Sequence, residues 1–202
     1  MKKAILLFSS GLDSSVAGYM ARNKNLDVIG LHFNQQGKNS KSIQKVLKLA
    51  KVIGIKKIYV IDHDIVMKQV LGHVSSKFYC VFCKRFMVRI ASELGKKLGC
   101  NYVIDGSNLG QVASQTLENL NITTHVSAIP VIKPLLCFEK QETMDIAKEI
   151  GTFDLSNEKE NPCKYLPANP ATKSTERIIL FEESKLDVDD IVSDALNNAY
   201  IL

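Results

Sequence analysis

Short apolar runs rich in β-branched residues alternate along this chain with longer segments whose apolar residues recur at helical spacing. Such runs are typical of buried strands, and their alternation with helices indicates an α/β fold with a mostly parallel sheet. The predicted strands are residues 4–8, 28–33, 58–61, 102–104 and 128–132. We therefore expect a doubly wound, five-stranded sheet in a single domain of residues 1–202, with its core at about residues 3–175.

Helical spacing predicts helices in residues 43–50, 84–98 and 140–150, the last ending at Gly151. Ligands of open parallel sheets bind at the carboxyl ends of the strands, so the chemistry is expected just after residues 8, 33, 61 and 104. Residues 157–173 are polar and hold three prolines, which predicts a long loop of the kind that often carries function.

Residues 174–202 predict a helical C-terminal extension with an acidic, solvated face and no chemistry. The acidic residues of this face are Glu182, Glu183, Asp187, Asp189 and Asp190.

Composition and charge narrow the class of protein. No apolar run approaches the roughly 20 residues that span a bilayer, and the first apolar run is too short for a signal peptide, so we expect a cytoplasmic protein without membrane contact. The net charge of +5 is compatible with nucleic-acid binding but does not demonstrate it. Five cysteines, an odd number, argue against a disulfide framework and for metal binding or catalysis.

The first strand leads directly into the run Ser9-Ser10-Gly11-Leu12-Asp13-Ser14, after which a helix is predicted. Glycine lets a backbone approach an anion closely, and N–H groups at a helix N-terminus bind phosphate oxygens. The chain contains neither a Walker A pattern nor a dinucleotide fingerprint. A serine-rich helix cap without a ligand is the alternative interpretation.

This run resembles the Ser-Gly-Gly-x-Asp-Ser signature of the PP-loop ATP pyrophosphatases, which cleave ATP between its α and β phosphates. Ser10 stands where that family has its first glycine, a mild departure if the position avoids positive φ. The resemblance implies the PP-loop fold and ATP as cofactor, with Mg²⁺ held partly by Asp13. The predicted contacts to the phosphates are Ser9, Ser10, Gly11, Asp13 and Ser14. Adenine is expected near His32 and Phe33, at the end of the second strand.

A second signature is more specific. The run Cys80-Val81-Phe82-Cys83-Lys84-Arg85-Phe86-Met87 precedes Gly106-Ser107-Asn108-Leu109-Gly110-Gln111-Val112-Ala113-Ser114-Gln115-Thr116. Both runs closely resemble the PP-loop domain of the 4-thiouridine-forming tRNA sulfurtransferases, and Asn161-Pro162-Cys163 falls where that family has its late cysteine. The resemblance covers about residues 3–175.

Roles follow from side-chain chemistry and this resemblance together. Lys84, Arg85 and Arg89 are predicted to contact phosphates of ATP or tRNA, with a solvated basic face as the alternative. Gly106 and Gln111 are expected at the nucleotide, and Ser114 and Gln115 at the substrate base. Lys133 is expected to neutralise the departing pyrophosphate. All of these roles are predictions from the sequence.

The cysteines leave several alternatives open. Cys80 and Cys83 supply two ligands, and a tetrahedral metal site needs more. Cys163 is the third candidate. Similar archaeal enzymes imply an iron–sulfur cluster on such a trio; a disulfide or persulfide relay is the alternative, and so is a structural pair with an unrelated surface thiol. Cys100 and Cys137 are predicted to lie in the core.

The predicted reaction is adenylation of a tRNA uridine by ATP, followed by sulfur transfer to give 4-thiouridine. Expected partners are tRNA, a persulfide protein or sulfide as sulfur donor, and a second copy of the chain in a homodimer. Because the chain begins at the phosphate-loop strand, we also expect a separate THUMP-containing protein. The alternatives are a PP-loop enzyme that thiolates or amidates a small molecule, and a non-catalytic module that binds ATP or AMP.

Overall fold

The computed structural model describes residues 1–35, 37, 40–159 and 161–202. Its elements follow one another in the order β1 (Lys3–Leu7), α1 (Leu12–Asn23), β2 (Asp27–Asn34), α2 (Lys41–Ile53), β3 (Ile58–Asp62), α3 (His63–Val70), α4 (Tyr79–Lys97), β4 (Tyr102–Ile104), α5 (Leu117–Thr124), β5 (Val131–Ile132), α6 (Lys140–Glu149), α7 (Phe153–Asn157), α8 (Glu176–Glu183), α9 (Val188–Asn197) and β6 (Tyr200–Ile201). Two short 3₁₀ turns, Ser76–Phe78 and Ala113–Gln115, precede α4 and α5.

The strands form one sheet in the order β5-β4-β1-β2-β3-β6. Strands β1 to β5 pair in parallel, and β6 pairs antiparallel with β3. The chain builds the sheet outward from β1 through β2 to β3, then returns to place β4 on the other side of β1. The strand order therefore reverses between β1 and β4, which is where open parallel sheets bind ligands.

Helices cover both faces of the sheet, and consecutive strand residues alternate between the two cores. Ile5 belongs to the core formed with α3, α4, α8 and α9. Its neighbour Leu6 belongs to the opposite core, formed with α1, α2 and α6. Both residues are fully buried. The predicted doubly wound α/β architecture is confirmed, since burial on both faces explains why the strands are continuous apolar runs.

Several elements differ from the predictions. The sheet has six strands, not five, because the two-residue strand β6 adds an edge strand that is too short to show a pattern. Helix α4 begins at Tyr79, so the C-x-x-C pair lies within its first two turns. Helix α6 ends as predicted, and Gly151 follows it with φ +75°. Residues 158–159 and 161–175 contain no helix or strand; Glu160, within the predicted loop, lies outside the described residues.

Residues 174–202 contain two helices, as predicted, but they are not a solvated appendage. Ile179, Ile191 and Ala195 are almost fully buried in the core with α3 and α4. Across the described ranges, we find no helix of the length and apolarity needed to cross a membrane.

Candidate active site

The phosphate loop is held in shape by its own serines. Ser14 Oγ donates to the carbonyl oxygen of Ser9 at 3.0 Å, and the Ser9 N–H donates to Ser14 Oγ at 3.1 Å. Gly11 is the N-cap of α1, and no side chain accepts a hydrogen bond at that cap. The first N–H groups of α1 therefore have no side-chain partner at the cap, which is the arrangement that binds an anion at a helix N-terminus.

Ser10 occupies its position without backbone strain. Among the described residues, Asn25 is the sole non-glycine residue with positive φ, so Ser10 does not need the left-handed conformation that favours glycine. Ser10 is also largely buried. The departure from the Gly-Gly signature is thus accommodated by this loop.

A cavity of about 220 Å³ opens at the carboxyl ends of β1, β2 and β4, beside the phosphate loop. Eight of the predicted site residues line it: Ser9, Asp13, Ser14, His32, Phe33, Lys84, Gly106 and Gln115. Gly106 closes one wall, because a Cβ there would lie 3.0 Å from the Asp13 carbonyl group and the Ser14 Cα. Any side chain at position 106 would displace the first turn of α1.

His32 is buried behind the cavity and joins the ends of two strands. Its Nδ1 lies 2.9 Å from the Phe8 carbonyl oxygen, which only accepts, so Nδ1 carries the proton. Its Nε2 lies 3.1 Å from the Ser42 hydroxyl. Both ring nitrogens are engaged by protein, so His32 contributes an apolar ring surface to the cavity rather than a free polar group.

Asp13, Lys84 and Asp105 line the cavity, and two further lysines, Lys133 and Lys140, lie near these carboxylates. Burial raises the pKa of Asp13, while the nearby charges of Lys140 and Lys84 oppose that shift. Lys133 Nζ donates to Thr124 Oγ1 at 2.6 Å and lies 3.7 Å from Asp105 Oδ2. Burial lowers the pKa of Lys133, and the Asp105 carboxylate opposes that shift.

Asp105 was not predicted from the sequence. It follows β4 directly, at an expected strand end, but it lies outside the signature that begins at Gly106. Its Oδ1 accepts from the Ser107 hydroxyl at 2.7 Å, and that hydroxyl accepts from Lys84 Nζ at 3.3 Å. Asp105 thus lies between the two lysines and ties each of them to the cavity wall.

The Gln-Val-Ala-Ser-Gln run divides between the cavity and the surface. Gln111 is exposed and does not line the cavity, whereas Ser114 and Gln115 are buried. No described residue donates a hydrogen bond to the buried Oε1 of Gln115. An unpartnered buried carbonyl is costly, so a ligand N–H group in the cavity would stabilise it.

Two of the predicted phosphate contacts form ion pairs with a carboxylate of the protein instead. Arg85 donates to both carboxylate oxygens of Glu183, each at 2.8 Å, and Arg89 donates to the same oxygens at 2.9 and 3.2 Å. Although burial opposes it, these bonds lower the pKa of Glu183 to about 2. The structure therefore corrects two expectations: the arginines face an internal carboxylate, and Glu183 is not on a solvated face.

Glu182 is buried as well and accepts from the Ser75 N–H at 3.0 Å. The remaining acidic residues of the predicted face, Asp187, Asp189 and Asp190, are exposed.

The structure brings the three predicted functional cysteines together. Cys80 and Cys83 lie on α4, and Cys163 comes from the loop between α7 and α8. Burial and then the charges of Cys163 and Cys80 raise the pKa of Cys83 to about 12. Burial and Cys163 likewise raise the pKa of Cys80. All are free thiols.

The trio is not arranged as a preformed metal site. Within the described ranges, no group of three or more His, Cys, Asp or Glu side chains has the geometry to hold a metal ion. Of the two cysteines predicted to lie in the core, Cys100 is buried, but Cys137 is exposed, so the prediction for Cys137 is wrong. Cys137 follows β5 in a turn, where an apolar sequence neighbourhood does not ensure burial.

His63 is a second residue that the sequence did not reveal. It is the first residue of α3 and is fully buried. Its Nε2 lies 3.2 Å from Cys83 Sγ, and its ring packs edge-on against Phe33 with centroids 5.6 Å apart. Burial lowers the pKa of His63 to about 4. Because Phe33 lines the cavity, His63 connects the cavity wall to the cysteines.

Comparison with known proteins agrees with this geometry. The family model described as thiamine biosynthesis protein (ThiI) matches residues 1–188. This chain belongs to the ThiI family. A relative from Methanosarcina mazei named probable tRNA sulfurtransferase is 34% identical over 207 residues, which are 99% of this chain and 51% of the relative. One of the same name from Alkaliphilus metalliredigens is 32% identical over 203 residues, 97% of this chain and 52% of the relative.

A solved structure of this ThiI-type fold extends the comparison. The crystal structure of a 4-thiouridine synthetase–RNA complex with bound ATP superposes with a TM-score of 0.93 at 31% identity and covers 100% of this chain and 55% of that one. The predicted family resemblance is therefore confirmed. The chain spans about half the length of the ThiI-family relatives it matches.

Proposed function

We propose that this chain is the catalytic domain of an ATP-dependent tRNA sulfurtransferase that converts a uridine to 4-thiouridine. The observation that carries the proposal is that the phosphate-loop cavity and the three cysteines lie at the same edge of the sheet. The phosphate-loop cavity and the three cysteines are joined through Phe33, which lines the cavity and packs against His63 beside Cys83. Related proteins named tRNA sulfurtransferase and 4-thiouridine synthetase support the same reaction.

In the first step, O4 of the uridine attacks the α-phosphate of ATP and pyrophosphate leaves. The N-terminus of α1, with Ser9 and Ser14, is positioned to bind phosphate oxygens. Lys84 lines the same cavity and is available to neutralise charge on the departing pyrophosphate, with Lys133 held next to it through Asp105. The step converts a poor leaving group, a carbonyl oxygen, into AMP.

Mg²⁺ is the metal ion that this step implies. Asp13 lines the cavity and makes no ion pair that would compete for its carboxylate among the described residues. A carboxylate whose charge is disfavoured by burial gains from a nearby cation. Mg²⁺ is typically bound by one or two carboxylates together with substrate phosphates, which fits this position.

In the second step, a persulfide on Cys163 attacks C4 of the adenylated uridine and AMP leaves. Cys163 is the exposed member of the trio, so a persulfide donor can transfer sulfur to it. The attack on C4 joins the uridine to Cys163 by a disulfide. The thiol of Cys80 or Cys83 then attacks Cys163 Sγ, which releases 4-thiouridine and leaves a protein disulfide for a thiol reductant to reduce. An iron–sulfur cluster on the three thiols is the alternative, but they do not have preformed ligand geometry.

The proposed partners follow from the reaction. tRNA is the acceptor, and a persulfide protein, or sulfide if the thiols hold a cluster, is the sulfur donor. A THUMP-containing protein that contacts the tRNA and a second copy of this chain are the further partners of the proposal. The net charge of +5 contributes only a weak electrostatic attraction to RNA.

The test is a reconstituted reaction of the purified chain with ATP, Mg²⁺, unmodified tRNA, a persulfide-carrying protein as sulfur donor and a thiol reductant. We expect pyrophosphate release that depends on tRNA, and 4-thiouridine in the digested tRNA by mass spectrometry. Pyrophosphate release with a small-molecule acceptor but not with tRNA would favour a small-molecule thiolating or amidating enzyme. Binding of ATP without turnover of any acceptor would favour a non-catalytic nucleotide-binding module.

A further inference from the structure

Cys163 must be brought to the C-x-x-C pair by tertiary contacts, because its own loop has no regular structure. The described residues 158–159 and 161–175 form no helix or strand, and the Cys163 side chain is exposed. A thiol on an untethered loop of this length would sample a large volume and meet the pair only rarely.

The two residues that follow Cys163 are both tied to one carboxylate. Lys164 Nζ donates to Asp64 Oδ2 at 2.7 Å, and the Tyr165 hydroxyl donates to Asp64 Oδ1. We call these contacts of Asp64 with Lys164 and Tyr165 the Asp64 clamp. Asp64 is itself oriented, since its N–H donates to the Asp62 side chain at 3.0 Å at the N-cap of α3.

The residue before Asp64 contacts the other half of the cysteine trio. His63 Nε2 lies 3.2 Å from Cys83 Sγ, and the His63 ring also packs edge-on against Tyr165, with centroids 5.9 Å apart. The first turn of α3 therefore touches the C-x-x-C helix through His63 and the late loop through Asp64. Gln35 adds a contact from the end of β2, because its Nε2 lies 3.5 Å from Cys163 Sγ.

We propose that Asp64 is a positioning residue for sulfur transfer: through the Asp64 clamp it holds Cys163 beside Cys80 and Cys83. Among the described residues, the side-chain partners of Asp64 from the late loop are Lys164 and Tyr165 and not a cysteine, so Asp64 acts through these two residues. The purpose of this placement rests on the proposed function, but the placement itself does not. Holding reacting groups together raises their effective concentration, so the clamp is expected to raise the rate of any reaction between these thiols.

The test measures thiol proximity directly. In a Cys137→Ser background, which removes the other exposed cysteine, a short bis-maleimide is reacted with the reduced, metal-free full chain, and the Cys163–Cys80 cross-link is quantified by peptide mass spectrometry. Asp64→Ala should slow this cross-link by about tenfold, because it removes two hydrogen bonds to a charged acceptor. Its circular dichroism spectrum and its pyrophosphate release should match those of the background protein, which shows that the variant is folded.

Removing the same two bonds from the loop side gives an independent variant. Lys164→Met with Tyr165→Phe should slow the cross-link as much as Asp64→Ala, and combining all three changes should add little further loss. Glu158→Ala is the matched control, since it removes an exposed ion pair of 3.9 Å to Lys48 from the same loop. That control should cross-link at the background rate.

The outcomes separate the two proposals. The Asp64 clamp is overturned if Asp64→Ala does not change the cross-link rate, or if Glu158→Ala slows it as much as Asp64→Ala does. Either result holds regardless of whether the protein thiolates tRNA. If the unaltered protein does not thiolate tRNA but its cross-link depends on Asp64, the proposed function is wrong and the Asp64 clamp remains. If both hold, Asp64→Ala should reduce 4-thiouridine formation while sparing adenylation.

Discussion

Arg85 donates two hydrogen bonds of 2.8 Å to Glu183, a residue 98 positions later in the chain. Arg89 binds the same carboxylate, and Arg85 also donates to the Ile122 carbonyl oxygen at 2.7 Å. This network fastens α8 and α5 to α4, the helix that carries Cys80, Cys83 and Lys84. The C-terminal segment is thus part of what positions the candidate site.

Glu183→Ala should destabilise the protein by about 3 kcal/mol or more, because it leaves the buried Arg85 and the partly buried Arg89 without their carboxylate. The free energy of unfolding from urea titrations measures this loss. The control is Glu176→Ala on the same helix, whose side chain is 65% exposed and lies 3.8 Å from His125. It should change stability by less than about 0.5 kcal/mol. If both changes lower the free energy of unfolding equally, the ion pairs of Glu183 stabilise the protein no more than an exposed contact does.

The Glu183 carboxylate also predicts that the stability of the protein depends on pH in the acid range. The pKa of Glu183 is lowered from 4.5 to about 2 in the folded protein, so the folded state binds its proton less tightly than the unfolded state. Its contribution is therefore complete above pH 4.5 and is lost as the pH falls from 4.5 towards 2. The stability difference between the unaltered protein and Glu183→Ala should shrink over that range. A difference that stays constant down to the acid limit would contradict the assignment.

Asp13→Ala should lower ATP- and tRNA-dependent pyrophosphate release by roughly two orders of magnitude, because it removes a carboxylate that would hold Mg²⁺ at the phosphates. Stability should not fall, since burial disfavours the charge that the change removes. Pyrophosphate assays and thermal unfolding measure the two effects. Asp145→Ala on α6 is the control, because that carboxylate is exposed and pairs only with neighbours on its own helix. Full turnover by Asp13→Ala would remove this residue from the proposed site.

Cys163→Ser should abolish 4-thiouridine formation while leaving pyrophosphate release intact, because the thiol acts after adenylation. Cys80→Ser and Cys83→Ser should have the same effect, whereas Cys137→Ser should be silent. Nucleoside mass spectrometry and pyrophosphate assays on each variant test this. Anaerobic purification with iron and sulfide assays then distinguishes a persulfide relay, which predicts neither element, from a cluster. Normal thiolation by Cys163→Ser would exclude the late cysteine from the reaction.

Binding of tRNA by this chain alone should be weak and sensitive to salt. The net charge is only +5, and Arg85 and Arg89 are engaged by Glu183, so the electrostatic attraction to RNA phosphates is expected to be weak. The affinity should fall by about tenfold or more between about 50 and 200 mM salt, as measured by filter binding. Addition of a THUMP-containing protein should increase the affinity. Tight binding that does not change with salt would contradict this prediction and would indicate an RNA-binding surface that does not depend on net charge.

The local sequence was sufficient to predict the parts of the fold that are determined by residues close together in the chain. Strands buried on both faces must be continuous apolar runs, so β1 and β2 were predictable, and Gly151 ends α6 because it adopts the left-handed backbone easily. The phosphate loop was also predictable, since a strand, a glycine and a helix N-terminus follow one another directly in the chain. The meeting of the three cysteines was expected from resemblance and a long loop, not from spacing.

What the tertiary structure decided involves pairs of distant residues that leave no local pattern. The sequence placed Arg85 on a basic helix and Glu183 on an acidic one, and nothing in either segment indicated that folding would bury them against each other. His63, Asp64 and Asp105 are ordinary polar residues after strands until the sheet order places them beside α4, the Cys163 loop and Lys133. Strand β6 exists only because β3 offers it an edge. Sequence periodicity records which side of an element is buried, but contact with a particular partner is set only when the whole chain packs.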